Sequence, residues 1–198
     1  MRSDSPLTTD LWLVRHGETD WNKESRFQGS RDIPLNAAGM HQAEAIAQKL
    51  CDGAYDAIYS SDLTRALQTA QQISAQTGLE IIKDASLREI NMGIWEGRTI
   101  DEIAGEYPAQ WQQWQKNPAG VNPPPGESVR EVVRRVTAFA DELTALHPGG
   151  RIIIVAHGIS IAALTCKADG LSLAEIYRLV PQNTEVRHLT WKIRSESI

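Results

Sequence analysis

Cysteine is scarce in this chain, with only Cys51 and Cys166 and no CxxC pair. That excludes a disulfide framework or a thiolate cluster and predicts reduced thiols in a cytoplasmic protein, a single disulfide being the alternative. Positive charge is also short: 20 Lys and Arg stand against 25 Asp and Glu, a net charge of −5. A general nucleic-acid binder shows the opposite balance, so no nucleic-acid partner is expected and any anion specificity has to be local. No apolar run approaches the ~20 residues of a membrane span. The opening MRSDSPLTTD has no apolar core of a signal peptide, so neither a membrane partner nor export is expected. HExxH, paired Cys/His motifs, repeats and low-complexity tracts are all missing, which leaves no sequence sign of a metal. What is present is ordinary for a globular protein, 41% hydrophobic and 23% charged over 198 residues. That length fits one domain spanning 1–198. Oligomeric state is not readable.

Two strings interrupt this ordinariness. LWLVRHGETDWN (Leu11–Asn22) and RIIIVAHGIS (Arg151–Ser160) each run an apolar strand into a histidine followed by glycine. RIIIVA is a β-branched run of the kind buried on both faces of a parallel sheet. Between the strings, Asn36 caps a helix whose stripe is Ala43, Ile46, Ala47 and Leu50. YDAIYSS reads as a short strand, and DLTRALQTAQQISAQTG as a helix stopped by Gly78. LEIIKD is a further strand candidate. TIDEIAGEYPAQWQQWQKN has helical spacing interrupted by Pro108, and NPAGVNPPPGE is a proline-rich loop. Ser128 and Glu131 form a capping box. The helix it opens carries Val129, Val132, Val133, Val136, Phe139, Ala140, Leu143 and Leu146 on one face. GISIAALTCKADG and LSLAEIYRLV both look helical, and VRHLTWKI alternates as a last strand. Strands alternating with helices predict a three-layer α/β/α sandwich with a mostly parallel central sheet.

In such sheets ligands gather at the carboxyl ends of the strands. Arg15, His16 and Gly17 fall at one such end, His157 and Gly158 at another, and Arg65 in the first turn after YDAIYSS. The two histidines are therefore expected to face one pocket from neighbouring strands, with His16 at a solvent-facing strand end. Glycine fits where backbone approaches a ligand closely.

LVRHGETDWN, SSDLTRALQTA, LREINMGIWEG and VAHG, in that order, resemble the motifs of the histidine phosphatase (phosphoglycerate mutase-like) superfamily, on its phosphatase branch. The resemblance runs from Leu11 to His157 and into the following segment. It implies a metal-independent phosphomonoesterase of the histidine acid phosphatase type that needs no cofactor and acts on a small phosphorylated substrate. It also implies roles. His16 is the nucleophile, Arg15, Arg65 and His157 line the phosphate pocket, and Glu89 is the proton donor. Asn22, Gln28, Gly29 and Gly158 are the substrate-binding positions.

The chemistry asks for these residue types independently. Phosphoryl transfer passes through a loose transition state, so the protein mainly positions groups and neutralises charge. A neutral imidazole splits hydrolysis into two easier steps. Guanidinium forks match phosphate oxygens bidentately. An alkoxide leaves poorly without a proton, and the carboxylate that donated it can then activate water.

Duller readings exist for each residue. A histidine at a strand end is usually a satisfied polar group, and Arg15, Arg65 and Glu89 read alone as ion-pair or surface residues. His41, His147 and His188 are assigned structural roles, and Trp111 with Trp114 core packing. Trp21, Phe27 and Trp95 are candidates for an apolar substrate rim. Asp20, Glu24, Arg26 and Arg31 read as solvating a loop. Two rivals to the phosphatase remain, a cofactor-dependent phosphoglycerate mutase and a silent phospho-ligand binding module. Ahead of the RIIIVA run that opens with Arg151, the interval from Glu89 to His157 holds only Arg98, Lys116, Arg130, Arg134 and Arg135 as Lys/Arg cations. That interval is shorter than in mutases, although NPPPGES resembles a mutase segment. WEGRTIDEI resembles segments of alpha-ribazole and of broad-specificity sugar phosphatases, so the substrate stays open.

Overall fold

In the computed structural model the described residues are 7–193; the first six residues of the stretch read for a leader lie outside them. The alternating apolar segments build a five-stranded sheet: β1 (Leu7–Arg15), β2 (Ala57–Ser60), β3 (Ile81–Lys83), β4 (Arg151–Ala156) and β5 (Val186–Ile193). Their spatial order is β3-β2-β4-β1-β5. All neighbours are parallel except the edge strand β5, which runs antiparallel to β1.

Helices cover both faces of the sheet. Ile153 and Val155 of β4 point to one face with Val14 and Ile58. There they meet α2 (Ala37–Leu50), through Ile46, Ala47 and Leu50, and α3 (Thr64–Thr77), through Ala66, Ala70 and Ile73. Ile152, Ile154 and Ala156 point to the other face with Leu11 and Leu13. There they meet α6 (Val129–Leu146) and α7 (Gly158–Ala168). Full burial of such a side chain contributes about 1.5–3 kcal/mol. The RIIIVA run is continuous because it has two faces to fill. The predicted three-layer α/β/α architecture is the observed one.

Local signals place the helix ends. The Asn36 side chain accepts from Gly39 N, and the Ser128–Glu131 capping box is formed on both sides. Gly78 closes α3 in the left-handed region. Pro108 does not simply break a helix. It separates α4 (Ile100–Glu106) from α5 (Pro108–Lys116) and occupies the first turn of the second, where its missing N–H costs nothing. A four-residue helix, α1 (Asp20–Lys23), follows β1.

Three expectations need correction. Leu146 ends the α6 stripe in solvent, 68% exposed, because the chain turns off the sheet at His147. LSLAEIYRLV forms 3-10 turns over Leu173–Leu179 instead of an α-helix. Only Ile176 of that segment is fully buried, too little apolar surface to hold a longer helix against the core. The LEIIKD strand shrinks to three residues at the sheet edge, paired on one side only.

The topology opens a crevice. β1 leads towards α2 on one face, whereas the adjacent β4 leads into α7 on the other. Chains leaving neighbouring parallel strands in opposite directions create a binding crevice at the strand ends. The register puts Arg15 opposite Ala156, and His16 N donates to Ala156 O at 3.1 Å. The next residue of each strand is therefore a histidine at the mouth of that crevice.

Candidate active site

Arg15, His16, Asn22, Gln28, Gly29, Arg65, Glu89 and Gly158 all line one cavity of about 310 Å³ at the carboxyl ends of β1, β2 and β4. His157 stands immediately beside it, its ring centroid 5.1 Å from that of His16. The fold thus gathers every residue named from the sequence for the phosphate pocket and the substrate-binding positions. One detail differs: His16 is not solvent-facing but 2% exposed, at the floor of the cavity.

His16 Nδ1 lies 2.7 Å from the carbonyl oxygen of Gly17. A carbonyl can only accept, so Nδ1 carries the ring proton and Nε2 keeps its lone pair. Burial, then the charges of Arg65 and Arg15, hold the imidazole pKa well below its ordinary value, so the ring is neutral at neutral pH. Gly17 is needed here because a side chain would meet Gly39 O at 2.5 Å. The same residue's N–H donates to Thr69 Oγ1, and the Asn183 amide donates to the carbonyls of His16 and Gly17.

The two arginines are held by backbone carbonyls. Arg65 donates from Nη1 to Arg31 O at 2.6 Å and from Nη2 to Gly29 O at 2.9 Å. Arg15 donates from Nη1 to Pro181 O at 2.6 Å. In both, Nε is buried with no protein partner. Burial pushes the Arg65 guanidinium down to about 10, with Glu89 opposing the shift; it remains a cation near neutrality. Gly29 takes a positive φ of 54°, the conformation that turns its carbonyl to Arg65 at little cost for glycine.

His157 caps the start of α7 and is fully buried. Its Nε2 lies 2.8 Å from Ser61 Oγ, and its Nδ1 has no protein partner. Burial, then Arg65, lowers its pKa well below the ordinary value. Glu89 crosses to the same helix end. Its carboxylate accepts from Ile159 N at 3.2 Å and from Ile90 N at 2.9 Å, where the positive end of the helix dipole favours it. The cavity therefore combines a neutral imidazole nitrogen, two fixed cations with spare donors, and a carboxyl group. An oxyanion fits that set.

Sequence reasoning missed Ser61, Thr69 and Asn183. SSDLTR showed two serines, but only the β2-β4-β1 order brings Ser61 beside His157. Asn183, in the turn before β5, carried no signal. Of the proposed aromatic rim, only Phe27 lines the cavity. Trp95 is fully buried, against Trp111 and Trp114, and Trp21 packs over Gly97. Arg26 is more than a loop solvator, since it lines the cavity and binds Glu24 and Glu102. His147 bonds Tyr59 and His188 stacks on Trp12, while His41 stands exposed on α2.

Among the described residues, Cys51 and Cys166 are free thiols and no helix is long and apolar enough to cross a membrane. Nor does any group of three or more His, Cys, Asp or Glu there have the arrangement to hold a metal ion.

Residues 11–198 match the model of the histidine phosphatase superfamily (branch 1). The chain is 35% identical over 167 residues to phosphoserine phosphatase 1 of Hydrogenobacter thermophilus, covering 84% of this chain and 79% of the relative. It is 37% identical over 183 residues to a probable phosphoglycerate mutase of Yersinia pestis, covering 92% and 85%. Among solved structures, a mycobacterial glucosyl-3-phosphoglycerate phosphatase in complex with VO3 superposes with a TM-score of 0.84 at 34% identity. That match covers 91% of this chain and 90% of the other.

Proposed function

The chain belongs to the histidine phosphatase superfamily, and from that premise we propose that it is a phosphoric monoester hydrolase acting on a small phosphorylated metabolite through a phosphohistidine on His16. The mechanistic type is that of a histidine acid phosphatase. The observation that carries the reading is the His16 Nδ1–Gly17 carbonyl contact. It leaves a neutral Nε2 in a cavity lined by Arg15 and Arg65, whose Nε donors are unpartnered.

Nε2 attacks phosphorus while the bond to the ester oxygen breaks, and Glu89 gives its proton to that oxygen, releasing an alcohol. The guanidinium groups and the His157 Nδ1–H bind the equatorial oxygens, where transition-state charge is spread. Glu89, now a carboxylate, takes a proton from water as the water oxygen attacks phosphorus. The P–N bond breaks, phosphate leaves, and His16 returns neutral. Asn22, Gln28, Gly29 and Gly158 complete the substrate surface in this reading. The phosphatase names of relatives support it.

Hydrolysis is favoured over mutase chemistry because the interval between Glu89 and His157 supplies little basic cover. Arg98 is paired with Glu106, and Arg135 with Glu127 and the Ser86 carbonyl. Water then reaches the phosphoenzyme before a second acceptor does.

Rapid acid-free quenching during turnover of a 32P-labelled ester should trap an acid-labile phosphoenzyme that maps to His16. His16→Ala should abolish it and lower kcat by ~10³-fold or more with the fold retained. A His16→Ala enzyme with near-wild-type turnover would exclude the mechanism. Efficient bisphosphoglycerate-stimulated isomerisation of 3-phosphoglycerate with little free phosphate would replace it with the mutase.

A further inference from the structure

Apart from the catalytic groups, the polar substrate positions Asn22 and Gln28, the two glycines and Arg26, the cavity wall is Phe27, Ile90, Met92, Ile159, Tyr177 and Val180. Ile90, Met92 and Ile159 are almost wholly buried, so their exposed edges belong to the cavity itself. Phe27 is braced by the rings of Trp95 and Trp111, with centroids 6.4 and 6.2 Å away. Tyr177 packs on Trp114 at 5.6 Å. This wall is apolar and fixed from behind by the core.

The lining holds a third cation, Arg26, but its charge is already matched. Its Nε donates to Glu24 at 2.7 Å, and its Nη1 to Gly97 O at 2.8 Å and to Glu102 at 3.3 Å. Glu102 is itself anchored by the capping box with Thr99 at the start of α4. Two carboxylates against one guanidinium leave that part of the wall without positive charge to offer. An anionic leaving group seated on the buried wall of Ile90, Met92 and Ile159 would lose its water and meet no free counter-charge, which is costly.

We infer that the substrate is a phosphomonoester whose leaving group is uncharged and presents apolar or aromatic surface to this wall. The inference rests on the phosphatase reading and narrows it. It separates this chain from the phosphoserine and glucosyl-3-phosphoglycerate phosphatases it resembles, because both compounds in those names carry a carboxylate. The cavity, about 310 Å³, is at the small end of the range for small-molecule sites.

The test is a matched pair, hexyl phosphate and 6-phosphonooxyhexanoate, whose alcohols have nearly the same acidity and so make equal demands on the proton donor. p-Nitrophenyl phosphate serves as the control. The wild-type enzyme should favour the hexyl ester in kcat/KM by about tenfold or more, mainly through KM. Arg26→Ala should lower both esters together. Equal or better turnover of the carboxylate ester, or its selective loss in Arg26→Ala, would overturn the inference while leaving the phosphatase intact. Hydrolysis of the aryl control with neither alkyl ester accepted would overturn it too. Failure of all three substrates, with no phosphohistidine trapped, would fall on the phosphatase reading itself.

Discussion

Ser61 Oγ and His157 Nε2 lie 2.8 Å apart, and this contact sets the tautomer of the second histidine. The Ser61 oxygen already accepts from Leu63 N–H at 3.3 Å. Among the described residues the buried Ser61 hydroxyl has no acceptor for its own hydrogen other than Nε2, and donation there puts the ring proton on Nδ1, the nitrogen with no protein partner. A donor rather than a lone pair faces the position proposed for phosphate.

Ser61 is therefore a positioning residue. Ser61→Ala should lower kcat about 10–100-fold, the value of one hydrogen bond to a charged group. In 15N-labelled protein the His157 resonances should shift from a protonated Nδ1 towards a tautomer mixture, and Ser61→Thr should restore both readouts. Wild-type kcat with an unmoved tautomer would make the serine purely structural.

Arg65→Lys should cost about 10²-fold or more in kcat/KM although it preserves formal charge. A lysine cannot span the carbonyls of Arg31 and Gly29 while facing phosphate. The burial that brings the guanidinium to about 10 also acts on an ammonium group that starts lower, near 10.4. Kinetics with p-nitrophenyl phosphate would check this, and a loss smaller than about threefold would remove Arg65 from the proposed phosphate grip.

Glu89→Gln retains an oxygen for Ile90 N–H and Ile159 N–H, so the fold should persist. Proton donation is lost, and alkyl phosphates should slow by roughly 10²–10⁴-fold. p-Nitrophenolate departs unprotonated and should suffer much less at the transfer step. Single-turnover rates for the two ester types separate that step from hydrolysis of the phosphoenzyme. Equal losses would assign the proton to another group.

Stability should fall as the medium turns mildly acidic. His16 and His157 both have folded-state pKa values depressed by burial first and Arg65 second. Below the unfolded value, near 6.5, the unfolded chain binds protons that the folded one refuses. The contribution is thus complete above that pH and declines until the folded pKa is reached. Each histidine can give a slope of about 1.4 kcal/mol per pH unit. Urea midpoints measured between pH 6.5 and 5 should drop, and His157→Asn should flatten the dependence. An identical slope in wild type and variant would contradict the depressed values.

Much of this protein is local enough to read from its residues. Period-two and period-3.6 patterns set the strands and helices. Asn36, Ser128 with Glu131, and Gly78 fix helix ends through contacts within a few residues. Two apolar runs each ending in His-Gly marked one candidate anion site, because a strand with both faces buried can turn polar only where it leaves the sheet. The tertiary structure decided what depends on strand order and on residues distant in sequence. Inserting β4 between β2 and β1 aligns Ser61, His157 and His16 and so assigns the tautomer. The turn before β5 brings Asn183 to the His16 carbonyl across 167 positions. Packing sent Trp95 into the core while Phe27 remained on the cavity wall. Arg26 looks like a free cation in the sequence, but Glu102, 76 positions away, takes up its charge. Hydrophobic pattern and caps act through neighbours along the chain, whereas proton position and charge balance depend on which groups the fold brings within hydrogen-bond distance.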